Sequence, residues 1–284
     1  HRSLSKGVLA SASEAPMQIT AQHQRAFEEQ GYTILRQALD EPTLMMLREE
    51  CSYFVGYVDG SMKARGRETY GITHRGKRYF ISGRYRESRR LPSFLFGQLM
   101  ADITRAFLGD ESYLFVEQWV VKGAEQGMKF AWHQDGGYVK FSDPETRHRP
   151  YLTCWCALDD MSEANGSIFV RPHDRANTRN HVLPHRAEPE TNDLVGYEGS
   201  DPGVLIEVPA GSIVVFSSTT LHRSSANTTD APRRAYLAQY SGEVIQRSTG
   251  GAWAHAVPFT RSGEVIYDPN SDHGTSGLRS PEID

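Results

Sequence analysis

Eleven histidines occur among the 284 residues. His133 alone has a carboxylate two positions on, within Trp132-His133-Gln134-Asp135-Gly136-Gly137. Residues i and i+2 of a strand point to one face, so on a strand His133 and Asp135 reach the same metal ion. The pair alone is a weak signal, because 35 acidic residues and eleven histidines give about one such spacing by chance. Context strengthens it. His222 lies about ninety residues on, closing an apolar run and followed by small polar residues. Two histidines and one carboxylate leave three facial positions open on a ferrous ion, room for a bidentate co-substrate and dioxygen. Eleven residues beyond His222 stands Arg233, whose planar fork suits a remote carboxylate; spacing alone does not choose it over Arg234.

Other chemistries leave no trace. The chain has no G-x-S-x-G elbow, no Walker loop, no H-E-x-x-H and no G-x-G-x-x-G after a strand. Apolar residues make up 38%, charged residues 23% and the net charge is −4, which excludes a disordered acidic tail and a generally basic nucleic-acid binder. No apolar stretch approaches 18 residues, so no membrane span is expected. Cys51, Cys154 and Cys156 are odd in number and lack C-x-x-C spacing, which favours a cytoplasmic location over a disulfide scaffold. His1-Arg2-Ser3 reads as a tag remnant, and 1–16 as a flexible N-terminus without an apolar signal region.

Elements must position the candidate ligands. Thr20 caps a helix that Gly31 ends, Tyr32–Leu35 reads as a strand, and Asp40 with Pro42 opens a longer helix. A third helix follows Pro92 and stops at Gly109, with an irregular segment over 59–91 before it. Short strands follow at 113–121, 129–135, 151–158, 167–171, 204–208, 212–217 and 234–241, punctuated by Asn165-Gly166 and Pro209-Ala210-Gly211. The fold expected is mainly β with flanking helices: a helical part at 20–109, a jelly-roll core at about 110–245 and a C-terminal extension at 246–284, all one domain over 17–284. Residues 62–90 hold ten Lys or Arg against Glu68 and Glu87, a net of +8 that reads first as a solvated arm and second as an anion-binding surface. The polar stretch 174–203 reads as a lid or a disordered insertion.

Taken together, H-x-D, a distal histidine in H-x-S and an arginine eleven further on resemble the phytanoyl-CoA dioxygenase family of Fe(II)/2-oxoglutarate oxygenases. The resemblance runs over about residues 20–245 and includes Phe27-x-x-x-Gly31-Tyr32, Trp155-x-Ala157-Leu158-Asp159-Asp160 and Asn165-Gly166. It implies a double-stranded β-helix with His133, Asp135 and His222 as iron ligands. Arg233 and Ser224 would bind the far carboxylate of 2-oxoglutarate, and Gln118 and Trp155 would line the same pocket. Val170-Arg171-Pro172-His173-Asp174 departs from the P-G-S-H turn common in the family, which affects a loop and no ligand. Because the carboxylate at 135 is retained, a halogenase is not implied.

By the same resemblance, the cofactors are Fe(II), 2-oxoglutarate and O2, with ascorbate as an aid to activity. A ferryl species would abstract hydrogen from an unactivated C–H bond of a small molecule, ending in hydroxylation, cyclisation, epimerisation or desaturation. The segments 62–90, 174–203 and the excursion around Trp253 and His255 are candidate pocket walls, and Tyr70, Tyr138, Phe141 and Trp253 suit a bulky planar substrate. That leans towards tailoring of an antibiotic natural product of the aromatic polyketide, anthracycline kind. Alternatives are an acyl-CoA or amino-acid hydroxylase and, from another class, a cupin-like metal-binding module without oxygenase activity. Nucleic acid is not an expected partner, and the oligomeric state is left open.

Overall fold

The computed structural model describes residues 17–273. The tag remnant and flexible stretch expected over 1–16, and the end of the C-terminal extension beyond 273, lie outside the described residues.

Thr20 caps α1 (Ala21–Gln30) through its side chain, and Gly31 ends it in the left-handed region at φ 83°. After β1 (Tyr32–Leu35), Asp40 accepts the Thr43 N–H and opens α2 (Glu41–Ala64). Leu44, Leu47, Cys51, Phe54, Val58 and Met62 form the buried stripe of that helix. The segment expected to be irregular instead extends the sheet through β2 (Thr69–Tyr70), β3 (Thr73–His74) and β4 (Arg78–Ser82). The third helix is broken into α3 (Leu91–Leu95) and α4 (Gln98–Phe107), because Gly97 turns extended at φ −86°, ψ 174° between them.

The remaining strands form the rest of that sheet, a smaller antiparallel sheet and a separate two-stranded hairpin. They are β5 (Ser112–Lys122), β6 (Phe130–His133), β7 (Leu152–Ala157), β8 (Ile168–Arg171), β9 (Arg186–Ala187), β10 (Leu194–Val195) and β11 (Val204–Leu205). Then come β12 (Ile213–Ser217), β13 (Leu221–Ser224), β14 (Arg233–Ser241), β15 (Val257–Arg261) and β16 (Glu264–Val265). The larger sheet runs β1-β12-β7-β14-β5-β4-β3-β2, and the smaller runs β11-β8-β13-β6. Both are antiparallel throughout, so the mainly β architecture expected from the sequence, two facing sheets with flanking helices, is present.

The pleat of the larger sheet separates structure from chemistry. Trp119, Val121, Tyr236, Ala238, Tyr240, Cys154, Cys156 and Val215 point outward into the main core, with the buried face of α2 against them. Trp119 lies 4.0 Å from Tyr236 and 6.4 Å from Phe54, centroid to centroid. The alternate residues, among them Gln118, Trp155, Arg233, Leu237 and Gln239, face the smaller sheet. Cys51, Cys154 and Cys156 are buried and unbridged.

Six of the ten cations in 62–90 are exposed, as a solvated arm requires, but Arg78 and Arg84 are buried. Arg78 is 1% exposed and paired with Asp193. Arg86 pairs with Asp272 at 2.5 Å, and Arg90 with Glu50 at 2.7 Å. The stretch 174–203 carries most of a single helical turn (His173–Ala176) and the β9–β10 hairpin. Among the described residues no helix is long and apolar enough to cross a membrane.

Candidate metal centre

His133 is the last residue of β6 and stands opposite His222 of β13 in the register of the smaller sheet. The expected strand 129–135 stops there. Gln134 is the N-cap of a helix, α5 (Asp135–Ser142 in the chain between β6 and β7), and Asp135 is its first residue. The two ligand candidates therefore converge through a strand-to-helix corner rather than through strand alternation. Their side chains, with that of His222, offer ligand atoms that all lie within 4.8 Å of one another, and all three residues are buried. Asp135 Oδ1 is 3.7 Å from His133 Nε2 and 3.5 Å from His222 Nε2.

Backbone carbonyls orient both rings. His133 Nδ1 is 2.9 Å from the Ala131 carbonyl, and His222 Nδ1 is 3.1 Å from that of Thr220. A carbonyl only accepts, so each Nδ1 carries the proton and each Nε2 presents a lone pair to the centre. Burial, then the neighbouring His222, holds His133 well below the ordinary histidine range, keeping it neutral and able to ligate. The second oxygen of Asp135 accepts from Thr153 Oγ1 at 2.5 Å and from Gln239 Nε2 at 2.9 Å, which leaves Oδ1 turned towards the histidines.

The corner is braced from behind. Gln134 is fully buried; its amide donates to the carbonyls of His181 and Thr219, and its oxygen accepts the Leu183 N–H. Its backbone N–H donates to His185 Nε2 at 3.0 Å. A Cβ on Gly137 would lie 2.4 Å from the His185 ring, and one on Gly136 would lie 2.9 Å from Val182 Cγ2. The Asp-Gly-Gly sequence thus admits the 174–203 segment to close approach. That segment contributes no residue to the wall of the adjoining cavity, contrary to expectation; it buttresses the metal corner.

A cavity of about 330 Å³ opens in front of the triad, between the sheets. Arg233, Ser224, Gln118, Trp155, Tyr138 and Trp253 all line it. Tyr70 does not: it sits on β2 at the outer edge of the larger sheet, 37% exposed. Phe141 also faces away, into a separate surface cleft beside His148 and His181. Of the expected walls, 62–90 supplies Ile72, Arg78, Phe80 and Ser82, and the C-terminal excursion supplies Trp253 and Ala254. His255 instead accepts from Arg86 at 3.2 Å. His173 lies against Thr219, Thr220 and the Gly31 backbone, away from the triad.

Arg233 is 1% exposed, its guanidinium 5.6 Å from the Trp155 ring centroid, and among the described residues its Nε and Nη1 have no hydrogen-bond partner. Burial lowers it to about 10. Arg234, one residue on, points the other way and binds both oxygens of Asp159. A buried cation with unpartnered donors, opening on the same cavity as a His-Asp-His cluster, has the donors to receive an anion. The donor set fits a ferrous ion, and the guanidinium fits the far end of a dicarboxylate chelating it.

Thr153, Gln239, Gln134 and His185 were not singled out by sequence reasoning. Gln239 had left a signal: it is the polar residue in the otherwise apolar run Ala235–Tyr240.

Comparison with known proteins agrees with this geometry. The family profile described as phytanoyl-CoA dioxygenase (PhyH) matches residues 27–235. A probable phytanoyl-CoA dioxygenase of Caenorhabditis elegans is 27% identical over 123 residues, which are 40% of this chain and 37% of that protein. The chain thus spans well under two thirds of that relative's length. The crystal structure of EvdO2 from Micromonospora carbonacea var. aurantiaca complexed with 2-oxoglutarate superposes with a TM-score of 0.62 at 23% identity, covering 85% of this chain and 99% of that one. The non-heme alpha ketoglutarate dependent carbocyclase SnoK from nogalamycin biosynthesis gives 0.61 at 21%, covering 82% and 87%. At these identities the likeness shows a shared fold.

Proposed function

The chain belongs to the phytanoyl-CoA dioxygenase family, and from that premise we propose that it is an Fe(II)/2-oxoglutarate-dependent dioxygenase acting on a small molecule. One observation carries the reading: a buried guanidinium with unpartnered donors shares a cavity with three convergent ligand atoms. A simple metal-binding module has no use for such a cation, whose burial without a counter-ion is unfavourable.

Ferrous iron with 2-oxoglutarate and dioxygen supplies the oxidising chemistry, in which the co-substrate is decarboxylated to succinate and a C–H bond of the substrate is attacked. The protein's residues do the rest. His133 and His222 give neutral imidazole ligands, and Asp135 gives the carboxylate that Thr153 and Gln239 orient. Arg233, with the Ser224 hydroxyl nearby on β13, holds the far carboxylate, and Trp155 forms the wall beneath the guanidinium. Gln118, held by Ser82 at 2.8 Å, keeps a polar edge on an otherwise apolar wall. Phe80, Phe115, Phe130, Tyr138, Tyr151 and Trp253 exclude water and present aromatic faces.

Those faces suit a planar, largely apolar substrate, and the structural likeness to a carbocyclase from nogalamycin biosynthesis supports natural-product tailoring of an anthracycline-like molecule. Residues 17–284 act in this reading as one oxygenase domain, with both sheets lining one cavity. Three unbridged cysteines suit a cytoplasmic location.

The test is succinate formation by anaerobically prepared protein given ferrous iron, 2-oxoglutarate and then air, with candidate substrates added in turn. Oxygen-dependent succinate that vanishes in His133→Ala is the expected result. Iron-independent or absent succinate under every condition overturns the reading.

A further inference from the structure

Three cations lie on one rung of the larger sheet. Arg233 of β14 is in register with Lys122 of β5, and Lys122 is in register with Arg78 of β4. All three line the cavity, and none is more than 2% exposed. Arg78 is fully engaged: it donates to the carbonyls of Ile72, Lys129 and Thr191 and pairs with Asp193. Asp193 is itself bound on its other oxygen by the Ala131 N–H. The acid beside the rung is therefore occupied, and Lys122 and Arg233 line the cavity as two basic groups with no carboxylate bonded to either among the described residues.

Lys122 is also held in a prepared slot. Its stem runs past Gly127 and Gly166, where an added Cβ would lie 3.0 Å from Lys122 Cβ and 2.7 Å from Lys122 Cδ. The bare backbone at Gly166, in the Asn165-Gly166 turn, is what lets the stem through. Among the described residues its ammonium donates to the Met128 carbonyl, which leaves further N–H directions on a group that has three.

Resting on the dioxygenase reading above, we propose that Lys122 is a second anchor for the carboxylate received by Arg233, and that it takes up a proton as 2-oxoglutarate binds. Before binding, a charge on Lys122 is opposed first by burial, then by Arg233 on one side and Arg78 on the other, with Asp193 the acid favouring it. Met128, Gly127 and Gly166, the other groups against its side chain, bring no charge. An arriving carboxylate reverses the balance, since it neutralises Arg233 and offers Lys122 an ionic acceptor. Co-substrate affinity then falls as pH rises, because binding consumes a proton.

Calorimetric titration of anaerobic, Fe(II)-loaded protein with 2-oxoglutarate at pH 8, in two buffers of different ionisation enthalpy, tests this. Wild type is expected to take up a large fraction of one proton. Lys122→Met keeps the stem in its slot and is expected to bind about tenfold or more weakly, with the proton uptake gone. Affinity within twofold of wild type and unchanged uptake in Lys122→Met overturns the proposal. Zero uptake in wild type does so as well, and that measurement decides alone should the variant fail to fold. Arg233→Met separates the two readings: loss of binding there with normal Lys122→Met sinks only the second anchor. No binding of 2-oxoglutarate by wild type sinks the dioxygenase as well.

Discussion

At the scale of single residues, the site depends on groups that orient ligands as much as on the ligands. Thr153 and Gln239 together occupy one oxygen of Asp135, so the other is turned towards His133 and His222, where a metal ion would be met without reorganisation. Gln239→Leu conserves volume and removes one of these donors; metal titration should show Fe(II) affinity reduced about 10–100-fold, and unchanged affinity would contradict the role. Arg233 has the opposite character, a feature costly to the fold. Replacing it with Met removes a buried cation lacking a counter-ion, so 2-oxoglutarate binding should vanish while unfolding free energy rises by about 1 kcal/mol or more. Differential scanning calorimetry on the metal-free protein checks the sign; a large fall in Tm would mean that the guanidinium is a structural tie. His133, Asp135, His222 and the spacing to Arg233 were legible because the chemistry fixes the types and one family fixes the spacing. Lys122 and Thr153 were not, since which strand faces which is a matter of register and no local pattern encodes it.

At the scale of elements, the corner between β6 and α5 is where local sequence and tertiary packing disagree most usefully. Strand alternation was the expected means of bringing His133 and Asp135 together, whereas the chain turns into a helix at Asp135. Two glycines in succession argue against a helix by propensity alone. Packing overrides propensity, because the His185 ring and Val182 fill the places that side chains at 137 and 136 would take. In an ordinary helix Gly→Ala gains up to about 1 kcal/mol. Here Gly137→Ala should cost about 1–3 kcal/mol, measured by denaturant unfolding. In combination with His185→Ala the cost should fall well short of the sum; strict additivity would show that the two do not touch. Thr20, Gly31, Asp40 and Pro42 marked their helix ends correctly in the sequence, since caps are local. The edge strands over 69–82 escaped notice because β2 and β3 are two residues long, too short to show alternation, and β4 is set in the sheet by β5, about forty residues on.

At the scale of the whole molecule, the larger sheet carries helices and core on one face and the cavity on the other. Glu117 is a buried acid on the core side. It accepts from Tyr236 Oη at 2.8 Å and from the backbone N–H groups of Arg84 and Tyr85, so it ties β5, β14 and the 83–87 turn. Burial raises it to about 7. A folded-state value above the unfolded one means that its contribution is fully present below about 4.5 and is lost as pH rises through 7. His173 and His255, lowered to about 4 by burial, act in the opposite sense and destabilise as pH falls from 6.5 towards 4. The difference in Tm between wild type and Glu117→Gln, followed from pH 5 to 8, isolates the acid. Wild type should lose stability relative to the variant across that range, and parallel curves would contradict the linkage. The cavity, the triad and the buried guanidinium converge on one claim, that a single chamber holds ferrous iron at one end and a carboxylate at the other. A crystal structure of the protein grown anaerobically with Fe(II) and 2-oxoglutarate, with the iron located by its anomalous signal, tests that claim most directly. The expected result is iron bound to His133, Asp135 and His222, with the far carboxylate on Arg233. Iron at any other site, or a carboxylate that leaves Arg233 unpartnered, would contradict it.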